Sequence, residues 1–384
     1  MAEIALSAHA ALSEACAPSA AHLATTAQLA EIRHIVHTDL VPLVGTIDAD
    51  GTYPEAVLRA LGGAGAYSAH VGGAAGTMPD LWTAIEAMSI AGEHCLSTAF
   101  CMWCQDALGW YIHASDNEEL KADLGQRVAR GEALGGTALS NPMKAFYGIE
   151  RMRLKGRRVD GGYEVKGLLP WVSNLGPDHY FGAIFEVENG AGGHVMAVLD
   201  CSAPGMKITQ NDNFVALDGT RTFAVQVRDV FVPDKMLLAD PLDAYLQRIR
   251  AGFILLQAGM AFGLIRGCIK LMQQVKGSLG HVNQYLEKQP EDFEVLLAQL
   301  ETVVEELCRT PFSKDPAYFR KVVEARLAAG EASVEAAHYA MLHQGARGYV
   351  AQGAAQRRLR EAYFVAIVTP ATKQLRKMLA EIES

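Results

Sequence analysis

The chain has 384 residues, half of them apolar and a fifth charged, with a formal net charge of −9. That balance suits a soluble globular protein and excludes the basic face of a nucleic-acid binder. No uninterrupted apolar run reaches about 18 residues, so no membrane span is expected, and a chain of this length forms a core without disulfides or metal.

The opening "MAEIALSAHAALSEACAPSAAH" is Ala-rich and carries Glu3 and Glu14, so it does not read as a secretory signal. "LAEIRHIVHTDLVPLV" spaces its apolar residues for an amphipathic helix, and "TYPEAVLRALGGAGAYSAHVGG" reads as a short helix stopped by a Gly pair. "MPDLWTAIEAMSIAGEHCLSTAFCMWCQDALGWYI" is a long helical stretch, apolar enough to be buried on most sides. "DNEELKADLGQRVARGE" is a charged exposed helix, capped by Asp116 or Asn117 and ended by Gly131.

Seven cysteines, Cys16, Cys95, Cys101, Cys104, Cys201, Cys268 and Cys308, are scattered and odd in number, which fits reduced thiols in a cytoplasm. Cys101 and Cys104 form a single CxxC. With no second pair and no strand leading into it, the motif reads as two small apolar residues of a buried helix, and no metal site is expected.

From residue 132 the pattern changes to short β-rich runs: "RMRLKGRRV", "GGYEVKGLLPWVS", "YFGAIFEVE", "GHVMAVLD", "MKITQ" and "TFAVQVRDVFVP". Asp160-Gly161-Gly162 is a hairpin turn. Closely spaced strands with no helices between them predict an antiparallel sandwich or barrel. From residue 241 helices return. "AYLQRIRAGFILLQAGMAFGLIRGCIKLMQQV" reads as one long helix whose glycines 252, 259, 263 and 267 allow close packing, and the helical segments after it make a four-helix bundle. The class is α+β, with an N-terminal helical domain (1–131), a middle β domain (132–240) and a C-terminal helical bundle (241–384).

Several segments, in this order, resemble the acyl-CoA dehydrogenase superfamily of flavoproteins. "DNEELKADLGQRVARGEALGGTALSNP" is similar to the charged helix and loop reading roughly "TEPxAGSD", and "YEVKGLLPWVSNLGPDHYFGAIF" to the strand pair "GxKxWITNxxxAD". "LDGTRTFAVQVRDVFVPDKMLLA", "QAGMAFGLIRG" and "HQGARGYVAQGAAQRRLREA" resemble the segment ending "VxVP", the Gly-rich start of the first bundle helix, and "QxxGGxGYxxxxxxxRxxRDA".

The resemblance implies FAD held between the β domain and the bundle, with part of the nucleotide reaching a neighbouring subunit of a homodimer or homotetramer. It assigns Leu139 and Ser140 to the pyrimidine side of the flavin, and Trp171 and Ser173 to the strand lying against the ring. A hydroxyl suits that place, because it donates to a flavin nitrogen without adding charge. Gln344, Gly345, Gly348 and Tyr349 match the turn near the adenosine diphosphate, and Thr372 and Gln374 match polar residues reaching the adenosine end. Arg357 and Arg360 match the two arginines of the last motif.

Four departures accompany the match. The family's catalytic Glu, which takes the α-proton of an acyl thioester while a hydride leaves to the flavin, falls on Pro370 or Thr369 in "IVTPATKQLRK". The alternative home for the base, "LQRIRAGFILLQAG", holds Arg248 and Arg250 but no acid. The Arg expected to reach the diphosphate is missing from "SLGHVNQYLEKQPEDF", leaving Lys276 or His281 as substitutes. "SNPMKAFYGIE" brings Lys144, Phe146 and Tyr147 to the loop bordering the thioester channel.

Three readings follow. The first is FAD-dependent α,β-dehydrogenation of an acyl thioester, its electrons passing to a transfer partner, with the catalytic base unassigned among His179, Asp178, Glu150 or a substrate group. The second is a monooxygenase using reduced flavin from a separate reductase, oxygen and a small apolar substrate, which needs no α-proton base. The third is a non-catalytic relative that keeps the fold.

Overall fold

The computed structural model describes residues 20–71, 78–188, 193–210 and 214–383. The opening segment tested above for a secretory signal, with Cys16, lies outside them.

Five helices open the described chain: α1 (Ala20–Ile35), α2 (Val44–Asp50), α3 (Glu55–Gly63), α4 (Leu81–Gly92) and α5 (Leu96–Ala114). The Asp80 carboxylate accepts from Thr83 N at 3.0 Å and starts α4. The long apolar stretch is two helices, because Cys95 adopts an extended conformation between α4 and α5. Arg358 and Glu361 serve both exposed ends of that break. Arg358 donates to the carbonyls of Gly92 and Glu93, and Glu361 accepts from Leu96 N at 3.2 Å. The charged segment forms α6 (Glu118–Leu120), a π turn (Lys121–Gly125) and α7 (Gln126–Ala129). Asn117 caps α6, its Oδ1 accepting from Leu120 N at 3.0 Å, and Gly131 ends the segment at φ +68°.

Eight strands follow: β1 (Gly135–Thr137), β2 (Leu154–Val159), β3 (Gly162–Val172), β4 (Tyr180–Val187), β5 (His194–Asp200), β6 (Met206–Gln210), β7 (Phe223–Pro233) and β8 (Leu237–Ala239). Their order is β6-β7-β3-β2-β4-β5-β8, with β1 beside β4. The β2–β3 hairpin pairs Val159 with Gly162 across the expected turn. Most pairings are antiparallel, but β1–β4 and β2–β4 are parallel. The chain leaves β3 by a loop before β4, so β4 enters beside β2 in the same direction. Val195 and Leu199 of β5 share one buried cluster with Val225 and Val230 of β7, so the sheet curls around its own core. A short helix, α8 (Ser140–Phe146), follows β1 directly.

The C-terminal helices are α9 (Asp243–Leu255), α10 (Ala258–Gln274), α11 (Lys276–Asn283), α12 (Pro290–Cys308), α13 (Pro316–Gln344), α14 (Ala354–Ile367) and α15 (Thr372–Glu383). Helices α10, α12, α13 and α14 form the bundle, and α4 packs on α10. The single long helix read from the sequence is broken at Leu256 and Gln257, where Gln257 N bonds the Ile254 carbonyl at 3.2 Å in a tighter turn. A Cβ at Gly263 would stand 2.5 Å from the Ser89 carbonyl and 2.7 Å from Gly92, so glycine sets the α4–α10 distance. The stretch Asp243–Gln274 is long and apolar enough to cross a membrane, yet its most apolar window is 94% buried inside the protein.

Candidate functional site

Strand β1 runs into α8 at Leu139 and Ser140. A Cβ at Gly136 would lie 2.2 Å from the Ser173 carbonyl, so the glycine lets the end of β3 close on β1. That packing sets the segment that ends in Leu139 and Ser140 beside the segment that carries Trp171 and Ser173. Leu139 is buried, while the Trp171 side chain is 53% exposed. The Ser173 hydroxyl lies 2.7 Å from that of Thr222, which in turn lies 2.8 Å from that of Thr220.

The loop between α14 and α15 meets this group from the bundle side. The Thr369 and Ser140 hydroxyls are 3.0 Å apart. Gln374, on the first turn of α15, is buried and donates from Nε2 to the Met143 carbonyl of α8 at 3.0 Å. The Thr372 hydroxyl donates to the Ala366 carbonyl at 3.0 Å, which closes the loop on itself. The break between α9 and α10 completes the set, as Gln257 Nε2 donates to the Thr369 carbonyl at 2.9 Å. The two stretches in which a base was sought are therefore in direct contact. Neither offers a carboxylate: one brings a Thr hydroxyl and the other a Gln amide.

The turn carrying Gln344, Gly345 and Gly348 lies apart from this group. Gln344 Nε2 donates to the Leu271 carbonyl at 2.6 Å. A Cβ at Gly348 would meet Gln344 at 3.0 Å and Ala355 at 3.3 Å. Among the described residues, no hydrogen bond joins this turn to Ser140, Trp171 or Ser173. Lys276 forms an ion pair with Glu291. Arg360 is held by Asp48 at 2.6 Å, and Arg357 lies 3.8 Å from Glu361.

The three candidate bases are held elsewhere. Glu150 lies 3.1 Å from Lys144 and accepts from Asn141 at 3.1 Å. Burial pushes its carboxyl up, but the Asn141 and Lys144 hydrogen bonds and the Lys144 and Arg153 charges bring it below its usual range. A carboxylate held ionised in this way is a weak base. Asp178 is 76% exposed, with Arg59 at 3.8 Å. His179 is fully buried, and burial lowers its pKa. Its Nδ1–H donates to the Asn174 carbonyl at 2.9 Å, and Nε2 makes no hydrogen bond, with Asp178 Oδ1 3.8 Å away. Among the described residues, no hydrogen bond links any of the three to Thr369.

Cys101 and Cys104 are free and buried on α5, and burial pushes both thiols up. Among the described residues no group of His, Cys, Asp or Glu is placed to hold a metal.

Two residues of this site escaped the sequence reading: Gln257, and Arg326, whose Nε donates to Gln257 Oε1 at 2.6 Å. Gln257 is a lone amide in an apolar run beside Gly259. Arg326 is a charge in phase with the apolar stripe Val322, Val323, Ala329 and Ala336 of α13. Both break an apolar pattern, and that was the available signal.

Residues 8–132 match the family "Acyl-CoA dehydrogenase, N-terminal domain". The chain is 22% identical over 368 residues to the probable acyl-CoA dehydrogenase YngJ of Bacillus subtilis, covering 88% of this chain and 91% of that one. It is 21% identical over 238 residues to benzylmalonyl-CoA dehydrogenase of Aromatoleum aromaticum, covering 60% of this chain and 62%, less than two thirds, of that one. Among solved structures, a glutaryl-CoA dehydrogenase from Mycobacterium smegmatis in complex with FADH2 superposes with a TM-score of 0.74 at 17% identity, covering 94% of each chain. Residues 8–132 thus match an acyl-CoA dehydrogenase N-terminal domain, and the chain as a whole has the acyl-CoA dehydrogenase fold.

Proposed function

We propose that this protein is an FAD-dependent oxidoreductase whose flavin binds where the β domain meets the bundle. Its reaction in this reading is α,β-dehydrogenation of an acyl thioester. The observation that carries the proposal is the 3.0 Å contact between Ser140 and Thr369. It brings the segment assigned to the flavin's pyrimidine side onto the segment assigned to proton abstraction.

The ring-side residues fit such a cofactor. Ser140 and Ser173 supply uncharged hydroxyls, each engaged with another hydroxyl and each keeping capacity for a further bond. Trp171 offers a half-exposed indole. Gln374 and Thr372 brace the loop through Met143 and Ala366. Bound FAD supplies the two-electron acceptor. The proton goes to a group outside the Thr369–Gln257 pair, the substrate's own substituents included.

The missing carboxylate favours a second reading, oxygen-dependent hydroxylation with reduced flavin, which needs a dry site and no α-proton base. Anaerobic addition of acyl-CoA thioesters to the FAD-loaded protein separates the two. Bleaching of the flavin supports dehydrogenation. Flavin that stays oxidised across a broad panel, with oxygen consumed once reduced flavin is supplied, supports hydroxylation. We place the protein in the cytoplasm, a reading supported by six free buried cysteines, as a homodimer or homotetramer measurable by sedimentation.

A further inference from the structure

Two arginines of the helical part, one partly buried and one fully buried, face carboxylates. Arg266 has Glu86 at 2.9 Å and Glu301 at 2.6 Å, and Arg358 has Glu361 at 2.8 Å. Arg326, 3% exposed on α13, forms no ion pair among the described residues. Its acceptors are neutral: Nε donates to Gln257 Oε1 at 2.6 Å and Nη2 to the Val365 carbonyl at 2.5 Å. Val365 lies in the last turn of α14, whose partial negative charge offsets part of the cation. A buried guanidinium without a counter-ion is costly to keep, and the rest of the offset must come from elsewhere.

The hydrogen bonds point to where. Gln257 is fully buried and has both ends in use, accepting from Arg326 and donating to the Thr369 carbonyl. Thr369 in turn meets Ser140. The chain Arg326–Gln257–Thr369–Ser140 therefore runs from a cation without a counter-ion to the contact between α8 and the α14–α15 loop. Ser140 is the residue assigned to the pyrimidine side of the ring, where a reduced flavin sheds a proton and becomes an anion.

We infer that Arg326 is a positioning residue that acts through Gln257, holding Thr369 against Ser140 and making the site favour the anionic, reduced form of the flavin over the oxidised form. The inference rests on the FAD reading above.

The test compares oxidised with reduced FAD, bound anaerobically to the full chain, in the parent protein and in Arg326→Met, Arg326→Lys and Gln257→Glu. The preference for reduced FAD falls at least about tenfold in Arg326→Met and stays within about threefold in Arg326→Lys. Gln257→Glu lowers it as well, and it guards against misfolding of the Met variant because it leaves Arg326 paired. If Arg326→Met and Gln257→Glu fold and bind both forms with the parent's preference, Arg326 only ties α13 to α14, and the inference is overturned. If the parent protein binds neither form, the FAD reading itself has failed, and the inference falls with it.

Discussion

The Thr369 hydroxyl sits 3.0 Å from that of Ser140, so the loop that lacks the family's Glu touches the β domain directly. If the missing carboxylate is the only obstacle to ordinary dehydrogenation, Thr369→Glu removes it. Thr369 is only 8% exposed, and burial raises the new carboxyl toward the range of a useful base. Stopped-flow measurement of anaerobic flavin reduction by acyl-CoA should then accelerate about a hundredfold. An unchanged rate, in a variant that still binds FAD, means that the proton has another acceptor.

The Arg358–Glu361 pair closes the break between α4 and α5 from α14, with both side chains buried. Removing Glu361 leaves Arg358 without its carboxylate, removing Arg358 leaves Glu361 only the more distant Arg357 at 3.8 Å, and either change strands the backbone groups that the lost side chain capped. Glu361→Gln or Arg358→Met should lose about 3–5 kcal/mol in denaturant unfolding. The double variant should lose less than the sum of the two.

His70 and Asp106 give opposite pH dependences from one buried contact. His70 Nε2–H donates to the Asp106 carbonyl at 2.8 Å, and neither Asp106 carboxyl oxygen makes a hydrogen bond, the nearer lying 3.7 Å from His70 Nε2. Burial lowers His70 from 6.5 to about 4, so its contribution to stability is present above pH 6.5 and is lost as pH falls toward 4. Burial raises Asp106 above 3.8. Its neutral folded form therefore costs stability as pH rises past 3.8, where the unfolded carboxyl ionises. Asp106→Asn removes only the second effect. At pH 7 the variant should be more stable than the parent by at least about 1 kcal/mol, and the gain should shrink toward pH 4. A gain that does not vary with pH would contradict this account. Unfolding curves from pH 4 to 8 measure it.

The order of helices, strands and bundle was legible because periodicity and turn chemistry are local. Asp160-Gly161-Gly162 marked its hairpin, and the bundle glycines marked close packing. Gly263 also gives a sharp check: Gly263→Ala overpacks against the Ser89 carbonyl and should cost about 1–3 kcal/mol. The parallel β2–β4 pairing was not legible, since strand neighbours are chosen by the curl of the whole sheet. The break at Gln257 was hidden because its cause is tertiary: the amide side chain is held between Arg326 and Thr369. The same holds at the site. Motif matching brought Ser140 and Thr369 into consideration separately. Their contact, and the buried cation behind it, exist only once α8, α13 and the α14–α15 loop are assembled.

The most direct measurement of the central claim is an absorption titration of the purified protein with FAD, in parallel with Ser140→Ala. The account predicts saturable binding with a shifted flavin spectrum, and an affinity about fivefold weaker in the Ala variant, the effect of about 1 kcal/mol for one hydroxyl contact. An unperturbed flavin spectrum at every concentration, for oxidised and reduced FAD alike, would contradict it.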